Sequence, residues 1–184
     1  MKSIIKLKFA VLILVGIIFS ENCFSQGLKK INTNSSIFPS NINYTSDFEN
    51  ILEKAEEDKL NALISAIKTE TKLEFAVVTI PSKMMSNMDI QEYTLELANK
   101  WGVGVKELNN GILIGVSIEA KKIYIQIGTG IEKIYTNEQV KSVIDQTMKP
   151  AFKRERYYEG LFSGIIRITE ELKPNLKNIP YKKD

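Results

Sequence analysis

Apolar residues recur along this chain at two spacings, and the change from one to the other marks its elements. From Glu53 to Thr69, Ala55, Leu60, Leu63, Ile64 and Ile67 form a stripe at helical period between charged and polar positions. Leu73 to Ile80 (LEFAVVTI) is β-rich and nearly continuous, which predicts a strand covered on both faces. After a loop from Pro81 to Met88, Asp89 with Glu92 three positions on has the form of a helix start; Tyr93, Leu95, Leu97 and Trp101 supply the apolar side, and Gly102 the stop. Ile112 to Ile118 and Ile123 to Ile127 are separated by Glu119-Ala-Lys-Lys122, long enough only for a hairpin, so they pair antiparallel. Thr136 to Gln139 is a capping box, and Val140, Val143, Ile144, Thr147 and Met148 continue at helical spacing toward Phe152. A last helix runs from Tyr157 to Leu172, ahead of Pro174.

In order these elements are helix, strand, helix, hairpin, helix, helix. Helices can then cover both faces of a small mixed sheet, and the fold class is α/β with three layers, αβα. Residues 26–45, rich in Asn and Ser, read as an extended lead-in, 46–172 as one domain, and 173–184 as a flexible basic tail. A chain of 184 residues with 43% hydrophobic content can bury one core without disulfides or metal staples.

The first residues change the picture of where that domain works. Lys2, Lys6 and Lys8 precede an apolar run from Phe9 to Phe19 and a polar segment ending at Ser25, the pattern of an export signal cleaved after Ser25. The run is shorter than the ~20 residues of a spanning helix, so no stable membrane anchor is expected after cleavage, and the protein is expected to be periplasmic or secreted. Cys23 follows Glu21 and Asn22, a context that does not suit lipid attachment. Cleavage removes this single cysteine. It also takes three of the 25 basic and one of the 22 acidic residues, leaving 22 against 21. A nearly neutral domain gives no reason to expect nucleic acid as a partner.

There is no histidine anywhere. Ser-His-Asp and Cys-His catalysis and His-based zinc sites are therefore absent, and what remains is carboxylate chemistry with hard oxygen donors, suited to calcium or magnesium. Gly128-Thr-Gly-Ile-Glu132 draws notice, two glycines and a carboxylate after a strand. No third glycine and no Lys-Ser/Thr pair complete a nucleotide loop. The plain reading is a turn in which Gly128 and Gly130 adopt unusual φ/ψ and pack closely, with Glu132 solvated. The acids Glu49, Glu53, Glu56, Glu57 and Asp58 read as a solvated helix start, Trp101 as a core anchor, and Met84, Met85 and Met88 as packing over the core edge.

Four segments in this order and spacing resemble the TPM domain family: Asp47-Phe-Glu-Asn-Ile-Leu52, Trp101-Gly-Val-Gly104, Asn109-Asn-Gly-Ile-Leu113 and Gly128-Thr-Gly-Ile-Glu132. Met148-Lys-Pro-Ala-Phe152 and Tyr157-Tyr-Glu-Gly-Leu161 extend the resemblance over about Tyr44 to Thr169. The chain departs from the family pattern at Asn50, where Gly is usual, at Glu53, where a small capping residue is usual, and at Asn109, where Asp is common. It looks like a stand-alone TPM domain.

The resemblance implies helices on a four-stranded sheet, often with bound calcium, and for some plant members an acid phosphatase activity. On it, the metal ligands are expected to be Asp47, Asn109, Asn110 and Glu132, held by loops that depend on Trp101, Gly102, Gly104, Gly111, Gly128 and Gly130. Asp47 has a plainer alternative as a helix-entry residue bonding nearby backbone N–H groups. The expected function is a calcium-binding module that orders surface loops in an interaction or assembly role in the cell envelope, with an unidentified envelope protein as partner. The alternatives are a metal-assisted phosphomonoesterase and a metal-free scaffold domain.

Overall fold

The structure, a computed structural model, describes residues 38–178, so the expected export signal and most of the lead-in lie outside the described residues, as does the tail beyond Asn178. Four strands form one sheet in the order β1-β2-β3-β4: β1 (Thr45–Asp47), β2 (Glu74–Thr79), β3 (Gly111–Ser117) and β4 (Lys122–Ile127). The first three are parallel and β4 returns antiparallel to β3, with Gly115 opposite Tyr124. The sheet is mixed and four-stranded, as expected, with the expected hairpin at one edge. At the other edge, β1 has no apolar alternation, and its first residue, Thr45, falls in the expected lead-in; its three residues are a strand only because Thr45, Ser46 and Asp47 pair with Val77, Val78 and Thr79.

Helices are α1 (Lys54–Thr71), the short α2 (Ser82–Met85), α3 (Ile90–Trp101), α4 (Asn137–Val143), α5 (Lys149–Phe152) and α6 (Tyr157–Leu172). Their ends follow local chemistry. Asp89 accepts the Glu92 amide at 2.8 Å to open α3, and Gly102 at φ +62° closes it. Thr136 and Gln139 exchange hydrogen bonds at the start of α4 as a capping box should. Between α4 and α5 the expected continuous helix widens into a π-helical turn, Ile144–Met148. Arg167 of α6 bonds Thr147 and Ser142 around that turn, at 3.0 and 2.9 Å.

Strands β2 and β3 are buried on both sides. Phe75, Val77, Ile112 and Ile114 face one core with α1 and α6; Ala76, Val78, Ile80 and Leu113 face a second with α3. Two expected positions differ. In α3 the inward residues are Ile90, Tyr93, Thr94 and Leu97, while Leu95 is 43% exposed, because the helical face toward the sheet falls one position earlier. In α1 the buried stripe is Leu60, Ile64 and Ile67, with Leu63 partly buried beside it, and Ala55 is exposed. The loop expected at 81–88 contains α2, whose Met85 is buried, with Met84 and Met88 packed beside it. The start of the tail is a 3-10 helix, Lys173–Asn178, rather than free chain, since Leu176 packs on the core. Among the described residues no helix is long and apolar enough to cross a membrane.

Crossover α1 lies over one face and α3 over the other, yet both step the same way across the sheet. They therefore have opposite hands, and one departs from the right-handed rule. Helix α3 sits close to β3 because Gly115 has no side chain: a Cβ there would come within 2.3 Å of Thr94 Cγ2. Gly115→Val is expected to lower stability by about 1–3 kcal/mol through overpacking, and Thr94→Ala in the same chain to recover part of that loss in a denaturant-unfolding double-mutant cycle. Strict additivity would show that α3 is not seated on Gly115.

Candidate functional site at the carboxyl ends of the parallel strands

The sheet has two ends, and the expected metal ligands divide between them. Asp47 ends β1 beside Thr79. Asn109, Asn110 and Glu132 lie at the opposite end, where Glu74 pairs with Gly111 and Gly128 bonds back to Gly111. A strand length separates the two, about 16 Å for β2 at ~3.3 Å per residue, so one ion cannot bridge all four.

At the Asn109 end the chemistry is mechanical. Asn110 is 1% exposed, and its amide is committed: Oδ1 accepts the Val105 N–H at 2.8 Å and Nδ2 donates to the Lys72 carbonyl. The Asn109 carbonyl accepts the Gly130 N–H at 3.0 Å, and the exposed Glu132 gives its amide to Gly128. Three connections cross here with their backbones in contact. A Cβ on Gly111 would lie 2.0 Å from the Val103 carbonyl oxygen, on Gly128 2.2 Å from that of Asn109, and on Gly130 1.9 Å from that of Leu108. Positive φ among the glycines belongs to Gly102 and Gly104, not to Gly130 or Gly128, so the expected unusual φ/ψ of that loop is corrected to crowding alone. Trp101 packs into the second core and donates Nε1–H to the Pro39 carbonyl at 2.8 Å, an anchor for the segment ahead of β1.

The other end is a set of carboxylate latches. Asp47 accepts the Leu52 N–H at 2.8 Å with one oxygen, which is its plain helix-entry role, and the Thr79 hydroxyl with the other. That hydroxyl accepts the Glu49 N–H at 2.9 Å. Glu49 then reaches across the sheet end, accepting the Ile118 and Glu119 amides at 2.9 and 3.1 Å. Glu119 accepts the Ser82 N–H at 2.9 Å. The connections that follow β1, β2 and β3 are thus tied to one another by three acids. Burial pushes the Glu49 carboxyl above its ordinary value; its two amide donors oppose this, and the charges of Asp47 and Glu119 add to it. Among the described residues no Lys or Arg pairs with any of the three.

Position makes this end the candidate site. After β1 the chain leaves toward one face, and after β2 toward the other, which opens a crevice between neighbouring strand ends, the usual ligand position in parallel α/β sheets. Of its residues, sequence reasoning found Asp47 alone. It placed Glu49 among solvated acids and Glu119 in a hairpin turn, and no local signal joins them, since Glu49 and Ile118 are 69 residues apart.

An α/β sandwich with a switch-point crevice and a glycine crossing at its other end defines the class. The TPM domain family model matches residues 45–171, and the chain belongs to that family. Among solved structures, the N-terminal domain of a P. gingivalis protein is 30% identical, covering 75% of this chain and 87% of that one at a TM-score of 0.65. The BA42 protein of Bizionia argentinensis is 23% identical, over 74% of this chain and 90% of that one, at 0.59; with the N-terminal domain of the Corynebacterium glutamicum cg2496 protein, 14% identical, over 82% and 89% at 0.53, it shares the fold. No curated protein matches.

Two outcomes are expected. Gly130→Ala should destabilise by about 1–3 kcal/mol through backbone collision. Gly102→Ala, with open space but φ +62°, should cost only about 1 kcal/mol; equal costs in urea unfolding would contradict the crossing. The second concerns pH. A raised carboxyl binds its proton more tightly folded than unfolded, so Glu49's contribution is most favourable at low pH and is lost as pH rises from about 4.5 through its raised value. Gln keeps an oxygen for the two amides, so Glu49→Gln should become more stable relative to wild type across that window; a constant difference would contradict the assignment.

Proposed function

We infer that this TPM domain is a binding module whose ligand end is the latch of Asp47, Glu49 and Glu119, and that the ligand is a hard divalent cation of the calcium kind. The observation that carries the reading is three mutually repelling carboxylates at a switch-point crevice with no basic partner among the described residues. The donor chemistry fits: carboxylate and backbone carbonyl oxygens are calcium's preferred ligands, and magnesium would demand a stricter octahedron. Among the described residues no three acids already stand in a coordinating group, so binding requires a carboxylate to turn from its amide donors, and the exposed Glu119 is the freest to do so. The Asn109, Asn110 and Glu132 set does not fit, because the Asn110 amide is spent on backbone groups and Glu132 stands alone. A bound cation would supply the charge that the latch lacks, drawing the three connections together and ordering the surface they form.

That surface, on an exported domain, is suited to an interaction or assembly role in the cell envelope. Affinity should be modest, on the order of 10⁻⁴ to 10⁻³ M, as in extracellular calcium modules. Calcium titration by calorimetry near pH 5 is expected to release protons from Glu49, to raise the melting temperature relative to EDTA, and to shift amide resonances at Asp47 to Asn50 and Ile118 to Glu119. Resonances at Asn109, Asn110 and Gly128 to Glu132 should stay in place. No saturable binding up to about 10 mM, or binding unchanged in Glu49→Gln, would overturn the reading. Metal-dependent hydrolysis of a generic phosphomonoester, lost in Asp47→Asn, would instead place chemistry at the same end.

A further inference from the structure

A second cleft lies on the other side of the hairpin tip, against the first core. It has a volume of about 550 Å³, within the range of small-molecule sites. Its floor is apolar and only half buried: Ile118 and Ile123 from the hairpin, Phe152 and Tyr157 from the bend between α5 and α6, with the two rings in edge contact at 5.7 Å between centroids. Its rim is basic. Lys121 and Lys122 stand on the hairpin side, Lys149 and Lys153 on the helix side, and Glu155 is the single acid among the lining residues.

Each lysine has an ordinary local reason to be there. Lysines on an exposed edge strand discourage strand pairing, and lysines near a helix carboxyl end meet the dipole favourably. Neither reason explains why four converge on one apolar floor. Only Lys149 is engaged in an ion pair, with Asp145 at 2.7 Å; Lys121, Lys122 and Lys153 pair with no acid among the described residues. Both lips are tight turns held by side-chain-bearing residues at left-handed φ, Lys121 at +55° and Glu155 at +59°, where glycine or asparagine would be less strained. In addition, α6 starts at Tyr157 in the cleft wall, and its N-cap position, Arg156, makes no side-chain cap, which leaves first-turn amides on that side for an acceptor.

We propose that this cleft is a binding site for an amphiphilic anion, an acyl or alkyl chain ending in a carboxylate or phosphate, with the chain on Ile118, Ile123, Phe152 and Tyr157 and the head group among Lys121, Lys122 and Lys153. Apolar floor and cationic rim each contribute what the other cannot. A bare anion would leave the floor wet, and a neutral chain would leave the lysines without a partner. The cleft shares Ile118 with the carboxylate latch, but none of the three latch acids lines it.

The test uses the full domain in EDTA, so that calcium neither binds the protein nor precipitates the ligand. Decanoate and decyl phosphate, below micelle formation, are titrated by calorimetry and by amide chemical shifts. Saturable one-to-one binding is expected, with shifts confined to Ile118 to Ile123 and Phe152 to Tyr157, and with affinity falling as salt rises. Whichever of the two binds more tightly indicates a fatty-acid or a phosphate head group. Lys122→Glu combined with Lys153→Glu, both exposed positions, should weaken binding at least tenfold while leaving the melting temperature unchanged. Equal binding of a neutral decyl glycoside, equal binding of inorganic phosphate, insensitivity to the double charge reversal, or shifts elsewhere would each overturn the proposal.

Discussion

Burial of β2 and β3 on both faces is the constraint from which the remaining architecture follows. Phe75 and Val77 need apolar cover on one side and Val78 and Ile80 on the other, each buried side chain contributing roughly 1.5–3 kcal/mol. One layer of helices cannot provide both. Helix α1 therefore crosses one face and α3 the other while the strand order advances in a single direction, and the crevice between the ends of β1 and β2 is a geometric result of that choice.

The two ends of the sheet then do opposite work. At the Asn109 end, backbones pass so closely that Gly111, Gly128 and Gly130 admit no side chain, and the buried Asn110 amide stitches the crossing together. The polar groups of Asn110 there are already engaged with the backbone. At the Asp47 end, connections are joined through carboxylates, with like charges left facing one another. Stability gained there from charge-assisted hydrogen bonds is opposed by repulsion and by burial of Glu49, the kind of compromise on which the proposed binding role rests. Beyond the hairpin the sign reverses, and lysines gather over an apolar floor.

Membership in the TPM family, together with the likeness to the P. gingivalis domain, establishes the fold and leaves function to the site. Departures from the family pattern fall where the chain can absorb them. Asn50 takes the left-handed φ of +54° that the usual glycine would supply, and asparagine tolerates it better than most residues. At the start of α1 the Glu53 backbone N–H donates to the Glu56 carboxylate at 3.0 Å, so the side chain three positions on closes the helix entry that a small capping residue usually makes.

By itself, the sequence determined what local periodicity and capping can carry. Continuous LEFAVVTI predicted a strand covered twice, the Thr136 to Gln139 box opened a helix where expected, and Tyr157 to Leu172 matched in both bounds, because each depends on neighbours within a few residues. Where inward direction depends on a partner, it was less legible: Thr94 rather than Leu95 faces the sheet because Gly115 makes room for it, and Thr45 to Asp47 form a strand only against β2. The glycines at 111, 128 and 130 were recognised as necessary, but their reason is a collision between connections distant in sequence. Only tertiary structure could decide which candidate residues meet, dividing Asp47 from Asn109, Asn110 and Glu132 and bringing it to Glu49 and Glu119. A carboxylate's partner is chosen by which strand ends lie side by side, and strand order is written in no local pattern.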